Sequence, residues 1–378
     1  MRFWGITGTN GKTTTTWILA DFISAQPGRR AGYITTVEVN TTKRAFYTGY
    51  TTPPLAELKR IYAEMEEAGC TDCVMEVSSH AIHQNRVGFG DVTLFSGGAF
   101  TNLTEDHLDY HKTMDEYFKV KLSFAEKIAQ GMPSTPDAGR FQMPPFVVCL
   151  DGGAGEEMLK AASKYSVNVV PVTRQNPRYD LSKLKLKGAY NESNVLVAAH
   201  LAECAGIDRE IISERISKLE PRWGRLEKVE NPNVEAEVYV DFAHTPDGLE
   251  KVLEAVRAFT RGKLWVVFGA GGDRDPMKRP LMGEAAARMA DMVVVTSDNP
   301  RSEDPVKIIE AVVQGIPEGK REFVIVEPDR KKAIEIALSR ASKIDVVVVA
   351  GKGHETTQEI LGVKYPFDDR EVIRTYQA

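Results

Sequence analysis

Two α/β domains with mostly parallel sheets are the architecture this 378-residue sequence predicts. Three observations carry that reading. Valine-rich apolar runs alternate with longer amphipathic stretches almost throughout, as strands covered on both faces by helices require. A glycine-rich turn, Gly5-Ile6-Thr7-Gly8-Thr9-Asn10-Gly11-Lys12-Thr13-Thr14, joins the first strand to the first helix. A break at 219–225, where Pro221 and Gly224 interrupt a helix before a new strand series, divides the chain into 1–220 and 221–378.

Along the chain, residues 2–7 suit a short buried strand, and residues 13–25 suit a helix whose positive N-terminus faces the glycine turn. Further strands are expected at 73–77, 92–95, 146–150, 167–172, 238–241, 264–268, 292–296, 323–326 and 345–350, each short and rich in apolar residues. Helices are expected between them at 55–68, 114–129, 191–205, 246–259, 280–290, 305–314 and 330–339. Residues 131–145, dense in Gly and Pro, read as a surface loop.

The totals narrow the function classes. A net charge of −5 lacks the basic surplus of a general nucleic-acid binder, yet leaves room for one anionic ligand in a locally basic site. No apolar run has the length of a membrane span, and the N-terminal stretch has no signal-peptide pattern. Four cysteines make no disulfide framework, and Cys70 and Cys73 lack the second pair a metal site needs. The expected compartment is therefore the cytosol.

The glycine turn has the parts of a phosphate cradle. Glycines let backbone N–H groups point inward, Lys12 supplies a point charge for outer phosphates, and a threonine hydroxyl after it can reach a magnesium ion. Glu76-Val77-Ser78-Ser79-His80 follows directly on a strand, at the sheet edge where ligands collect, so Glu76 is a candidate oxygen ligand. Residues 101–111, TNLTEDHLDYH, concentrate three acids and two histidines after another strand-like run; a capped solvated loop is the other reading. In the second half, GAGGDRD at 269–275, DNPR at 298–301 and GKGHE at 351–355 each follow a strand, which places three polar loops on one sheet edge. Arginine there suits bidentate capture of a carboxylate. Lys121 reads by spacing as an ordinary helix lysine.

Taken in order, GTNGKTT (8–14), MEVSSH (75–80), TNLTEDHLDYH (101–111), GRLE (224–227), DFAHTPDGL (241–249), GGDRDPMKRPLMG (271–283), DNPRSEDP (298–305), AGKGHE (350–355) and FDDRE (367–371) resemble the Mur ligase family, most closely its MurE type. That resemblance implies a central ATP-binding domain like P-loop NTPases followed by a Rossmann-like domain. It also implies ATP-dependent amide formation: a substrate carboxylate takes the γ-phosphoryl group, and an incoming amine displaces phosphate. Metals and cationic side chains make the approach of two anions feasible.

The resemblance also implies roles. Gly8, Thr9, Asn10, Gly11, Lys12, Thr13 and Thr14 would cradle ATP phosphates, with Asn191 and Asn194 near the adenine and Arg225, Asp241 and His244 on ribose and phosphates. Thr13, Glu76, His107 and Lys121 would hold two Mg²⁺ ions, Lys121 as a carbamate formed with CO₂; Lys12, Glu76, His107 and Lys121 would be the catalytic set. Thr51, Thr52, Ser78, Gln84 and Arg86 would contact a muramoyl-L-Ala-D-Glu-type acid. Arg274, Asn299, Arg301, Gly351 and Glu355 would contact the amino-acid acceptor, the DNPR form pointing to meso-diaminopimelate. MurE-type enzymes normally carry a further N-terminal domain of about a hundred residues that grips a uridine nucleotide. Here the phosphate turn lies almost at Met1. Three explanations stand: a shortened chain, a separate chain supplying that grip, or a substrate without UDP. A ligase of folylpolyglutamate or pseudomurein type and a non-catalytic nucleotide-binding subunit are the alternative functions.

Overall fold

The computed structural model describes residues 1–87, 94–131 and 143–377. Its first strand, β1 (Arg2–Thr7), enters helix α1 (Lys12–Ala25) through a turn only glycine can make. Gly8 and Gly11 adopt φ 148° and 84°, and a Cβ there would stand 1.9 Å from Thr101 Oγ1 and 2.2 Å from Asn194 Oδ1. The chain divides into two compact units, Met1–Lys185 with Ala189–Leu219, and Leu186–Gly188 with Glu220–Ala378.

In the first unit the order continues β2 (Ala31–Ile34), β3 (Val39–Asn40), β4 (Ala45–Phe46), α2 (Leu55–Glu67), β5 (Asp72–Glu76), α3 (Ser79–His83), β6 (Phe95–Phe100), α4 (Leu108–His111), α5 (Met114–Gln130), β7 (Pro145–Cys149), α6 (Gly155–Ala162), β8 (Asn168–Val172), α7 (Ala189–Cys204) and α8 (Arg209–Ile216). One eight-stranded sheet runs β4-β3-β2-β5-β1-β6-β7-β8. All pairings from β2 through β8 in that order are parallel, and only β2–β3 and β3–β4 are antiparallel. Parallel strands carry their loops to one carboxyl edge, so the segments after β1, β5 and β6 converge there. A buried carboxylate fixes the opposite edge. Asp72 accepts from Arg29 Nη2 at 2.6 Å and Nε at 2.8 Å, Trp4 Nε1 at 2.9 Å and Thr71 Oγ1 at 2.6 Å. Helix α5 starts where Thr113 accepts from Glu116 N at 3.2 Å, a side-chain N-cap, and packs Tyr117, Phe118, Lys121 and Phe124 inward.

The second unit contains β9 (Glu227–Lys228), β10 (Glu237–Asp241), α9 (Pro246–Arg257), β11 (Leu264–Phe268), α10 (Lys278–Met289), β12 (Met292–Val295), α11 (Pro305–Gln314), a 3₁₀ turn (Glu318–Phe323), β13 (Val324–Val326), α12 (Arg330–Arg340), β14 (Val346–Ala350), β15 (Thr357–Ile360), β16 (Val363–Pro366) and α13 (Asp369–Thr375). Its sheet runs β13-β12-β11-β14-β10-β9, parallel except for the β9 edge, with β15–β16 a separate hairpin. Val238, Val240, Val267, Val294, Val347 and Val349 pack beneath Ala333, Ile334, Ala337 and Leu338 of α12. The fully buried Arg330 donates to Asp369 at 2.8 and 2.7 Å and to Ala350 O at 2.9 Å, joining α12 and α13 to the end of β14.

Both units are α/β layers with mostly parallel sheets, as the sequence predicts. The strand expected at 92–95 is displaced: β6 occupies Phe95–Phe100, while residues 92 and 93 lie outside the described residues. Gly97 and Gly98 in its middle disguise it as a turn. Of the loop expected at 131–145, residues 132–142 also lie outside the described residues. Among the described residues no helix is long and apolar enough to cross a membrane. Cys70 and Cys73 are free and buried.

Candidate active site

The predicted site residues fall into two groups, one in each unit. In the first, the phosphate turn is braced from three sides. Asn10 N donates to Asn102 Oδ1 at 2.9 Å, and Thr101 Oγ1 donates to Asn10 O at 2.6 Å. Thr9 Oγ1 lies 3.3 Å from the Tyr117 hydroxyl and accepts from Thr104 N at 3.1 Å. Lys12 Nζ donates to Gly8 O at 3.0 Å and Thr9 O at 2.7 Å, which tethers the ammonium over the turn. Helix α1 begins at Gly11 without a side-chain cap and with no acid in its first turn. Such a terminus, closed by a lysine and flanked by Thr13 and Thr14, fits a phosphate group. Asn194 on α7 stands against Gly11 and is bonded to Thr15 and Asn191, each at 3.4 Å.

Lys121 reaches the same turn from α5. Its Nζ donates to Gly8 O at 2.8 Å and lies 4.4 Å from the centre of the Tyr117 ring. Burial, and then the Lys12 charge, hold this amine well below the ordinary lysine range, with Asp106 opposing. An unprotonated amine is the form that can add to CO₂, so the residue fits a carbamate. His107 takes a left-handed φ of 55° at the start of α4, with Nε2 at 3.5 Å from Asp106 Oδ2. Its pKa is pushed down, by burial first and also by Lys12, His80 and Lys121, although Asp106 pulls the other way. The imidazole is thus neutral at pH 7, as a metal ligand must be.

Glu76, 1% exposed at the end of β5, accepts from Thr36 N at 2.9 Å and Thr36 Oγ1 at 3.1 Å. Among the described residues no three His, Cys, Asp or Glu side chains gather into a ready-made cation cage. The chain offers instead one hydroxyl (Thr13), one carboxylate, one imidazole and the Lys121 amine. That sparse set suits Mg²⁺, which keeps waters and phosphate oxygens in its shell.

Beside Glu76 a second network assembles. The Thr36 and Thr51 hydroxyls lie 3.0 Å apart; Thr52 Oγ1 donates to Glu76 O at 2.8 Å and accepts from Ser78 N at 3.1 Å. Arg86 donates to Thr52 O, while its buried Nε has no hydrogen-bond partner among the described residues. Thr51, Thr52, Ser78 and Arg86 therefore stand together, with a guanidinium donor left over for an anion. Gln84 is exposed and donates to the Tyr110 hydroxyl at 3.3 Å.

In the second unit, the loops after β11, β12 and β14 share one sheet edge, because those strands are adjacent and parallel. Asn299 Nδ2 donates to Glu355 Oε2 at 2.8 Å, and Arg301 Nη1 donates to Gly272 O at 2.5 Å. Gly351, with φ 113°, passes so close to Asp298 that a Cβ would stand 2.6 Å from Oδ2. Arg274 remains exposed in its loop. At the end of β10, Asp241 accepts from Leu226 N at 2.6 Å and Ala243 N at 2.7 Å. Burial raises the Asp241 carboxyl, and Arg225 foremost opposes it. Phe242 is the hub there: Arg225 lies over its ring at 4.7 Å, with the rings of His244 and His354 at 4.6 and 4.8 Å.

Sequence reasoning passes over Thr36, Tyr117 and Phe242, and takes Lys352 only as one member of the polar GKGHE loop. Tyr117 carries a usable signal, standing four residues before Lys121 on one helix face. Thr36 carries none, since a threonine after an unrecognised strand looks like any turn residue.

Two family models match the chain: the Mur ligase middle domain over residues 6–202, and the Mur ligase glutamate ligase domain over residues 224–353. A "UDP-N-acetylmuramoyl-L-alanyl-D-glutamate--2,6-diaminopimelate ligase 1" of Clostridium acetobutylicum is 40% identical over 400 residues, covering 100% of this chain and 78% of that protein. The corresponding ligase of Aquifex aeolicus is 40% identical over 376 residues, covering 98% and 76%. A solved structure of a ligase with the same printed name is 32% identical at a TM-score of 0.62, covering 99% of this chain and 78% of that one. Mycobacterium tuberculosis folylpolyglutamate synthase, solved with ADP and AMPPCP, is 18% identical at a TM-score of 0.64, covering 93% and 88%, and shares the fold. With one model spanning half its length and relatives matching nearly all of it, the chain belongs to the Mur ligase family.

Proposed function

We propose that this protein is an ATP-dependent ligase joining a diamino acid, meso-diaminopimelate first among candidates, to a muramoyl-L-Ala-D-Glu-type acid in peptidoglycan precursor synthesis. The observation that carries the reading is the meeting of the uncapped phosphate turn and the fully buried Lys121 at Gly8 O, where burial holds the amine below the ordinary lysine range. The names of the relatives that match nearly the whole chain supply the substrate class.

The residue roles proposed are those the family resemblance implies, and the contacts described above support them. Lys12 and the N–H groups of residues 8–14 take the β- and γ-phosphates of ATP, and Asn191 and Asn194 bound the base. The network of Thr51, Thr52, Ser78 and Arg86 orients the acid, whose carboxylate oxygen attacks the γ-phosphorus as ADP leaves. Thr13, Glu76, His107 and Lys121 as its carbamate would hold Mg²⁺, which supplies charge neutralisation between the two anions. The acceptor amine, having lost its proton, attacks the carbonyl carbon of the acyl phosphate; the C–N bond forms and phosphate departs. Arg274, Asn299, Arg301, Gly351 and Glu355 hold that acceptor. Arg225, Asp241 and His244 serve the ribose and phosphates. These roles make the protein an enzyme of small-molecule substrates.

The test is to supply ATP, Mg²⁺, meso-diaminopimelate and the muramoyl dipeptide with and without its UDP group. Acceptor-dependent phosphate release with a tripeptide of the expected mass supports the reading; no acceptor-dependent release with either carrier rejects it.

A further inference from the structure

We propose that Lys352 is a positioning residue that presets the acceptor-binding carboxylate, an inference that rests on Asn299 and Glu355 being acceptor contacts. Lys352 sits in the turn after β14 and is 0% exposed, an unusual place for a lysine. Its Nζ donates to Asn299 Oδ1 and to Glu355 Oε2, both at 3.0 Å. Asn299 Nδ2 donates to the same Oε2 at 2.8 Å, and Asn299 Oδ1 also accepts from Glu359 N at 2.9 Å. One ammonium, one amide and one carboxylate thus close a triangle across the loops after β12 and β14, with β15 joined to it.

The triangle has two chemical consequences. It fixes the Asn299 amide, oxygen toward the ammonium and nitrogen toward the carboxylate. It also commits both donors to Oε2 of Glu355 and neither to Oε1. The Glu355 side chain is 31% exposed, so the carboxylate is anchored through one oxygen and still reaches solvent. An acid held this way can meet the ammonium group of an incoming amino acid without first being ordered or stripped of competing donors. Lys352 itself touches no substrate; it acts through Asn299 and Glu355.

Steady-state kinetics on Lys352→Met, Glu355→Gln and the double variant test the proposal. Losing a charged hydrogen bond changes binding by on the order of 10- to 100-fold, so Lys352→Met should raise KM for the diamino acid by that factor. KM for ATP and for the muramoyl acid should stay within about twofold, a split that a general loss of structure does not produce. The double variant should be no worse than the product of the singles and close to Glu355→Gln alone, because the two residues act as one unit. Lys352→Gln, which keeps an N–H donor toward Glu355, should fall between the wild type and Lys352→Met and guards against a misfolded variant. An unchanged acceptor KM in Lys352→Met, or a rise in all three KM values together, overturns the inference while leaving the ligase reading intact. A wild-type protein that incorporates no amino acid overturns that underlying reading instead.

Discussion

Replacing Lys121 by methionine separates a chemical role from a structural one. The side chain is 1% exposed, and methionine keeps its unbranched shape while removing the amine. Two contacts are lost: the donation to Gly8 O at 2.8 Å and the placement of Nζ at 4.4 Å over Tyr117. Gly8 O is not orphaned, because Lys12 Nζ also donates to it at 3.0 Å. A neutral hydrogen bond contributes about 1 kcal/mol net, and burying a polar group costs about 1–3 kcal/mol. These terms offset one another, so the folded state should change by less than about 2 kcal/mol in either direction. Turnover should instead drop by at least on the order of a thousandfold, the scale of losing a charge-stabilising group at a phosphoryl-transfer centre. Phosphate release and thermal unfolding measured on the same preparations make the comparison. Lys121→Ala, with room for a small anion, should regain part of its turnover in added formate or acetate. A Lys121→Met protein that turns over like the wild type refutes the carbamate reasoning.

Three other outcomes are expected. Asp72→Ala leaves the Trp4 N–H without its acceptor and the part-buried Arg29 with only Ala205 O, and should cost about 3–5 kcal/mol in urea unfolding; a loss below about 1 kcal/mol would contradict the anchoring role. Tyr117→Phe removes only the hydroxyl near Thr9 and should raise KM for ATP about two- to tenfold with the ring contacts retained; an unchanged KM would mean the hydroxyl does not brace the turn. His354 has its pKa pushed down to about 3, by burial first and then by Arg225, Arg370, His244 and Lys352. A depressed folded value means that stability is fully present above the unfolded pKa near 6.5 and is lost as pH falls toward 3, by at most ~5 kcal/mol. His354→Leu should flatten that acid limb of the unfolding curve, and an identical limb in both proteins would contradict it.

Much of this architecture was legible because local signals agreed with the tertiary result. Helix α11 is bounded by the Asp304 cap, Pro305 in its first turn and Gly315 at its end, so its limits can be read directly. Strands such as LWVVF at β11 and VVVVA at β14 announce burial on both faces. The two-residue strands β3, β4 and β9 were not legible, since such short runs have no period to detect. β2 was hidden by its mixed AGYI composition.

The candidate site divides similarly. Glycine spacing marks the phosphate turn, because backbone geometry dictates residue type there. Lys121 was visible only through family resemblance: nothing in helical spacing distinguishes a lysine aimed at a carbonyl from one in water. Lys352 could be read only as part of a polar loop; its burial was hidden, because that depends on partners 53 and 3 residues away.

Isotope transfer tests the central claim most directly. If the substrate acid is labelled with ¹⁸O in both carboxylate oxygens and ligated with ATP and the diamino acid, one labelled oxygen should appear in each phosphate released. Phosphate free of label, with the same peptide formed, would contradict carboxyl activation by phosphoryl transfer at this turn.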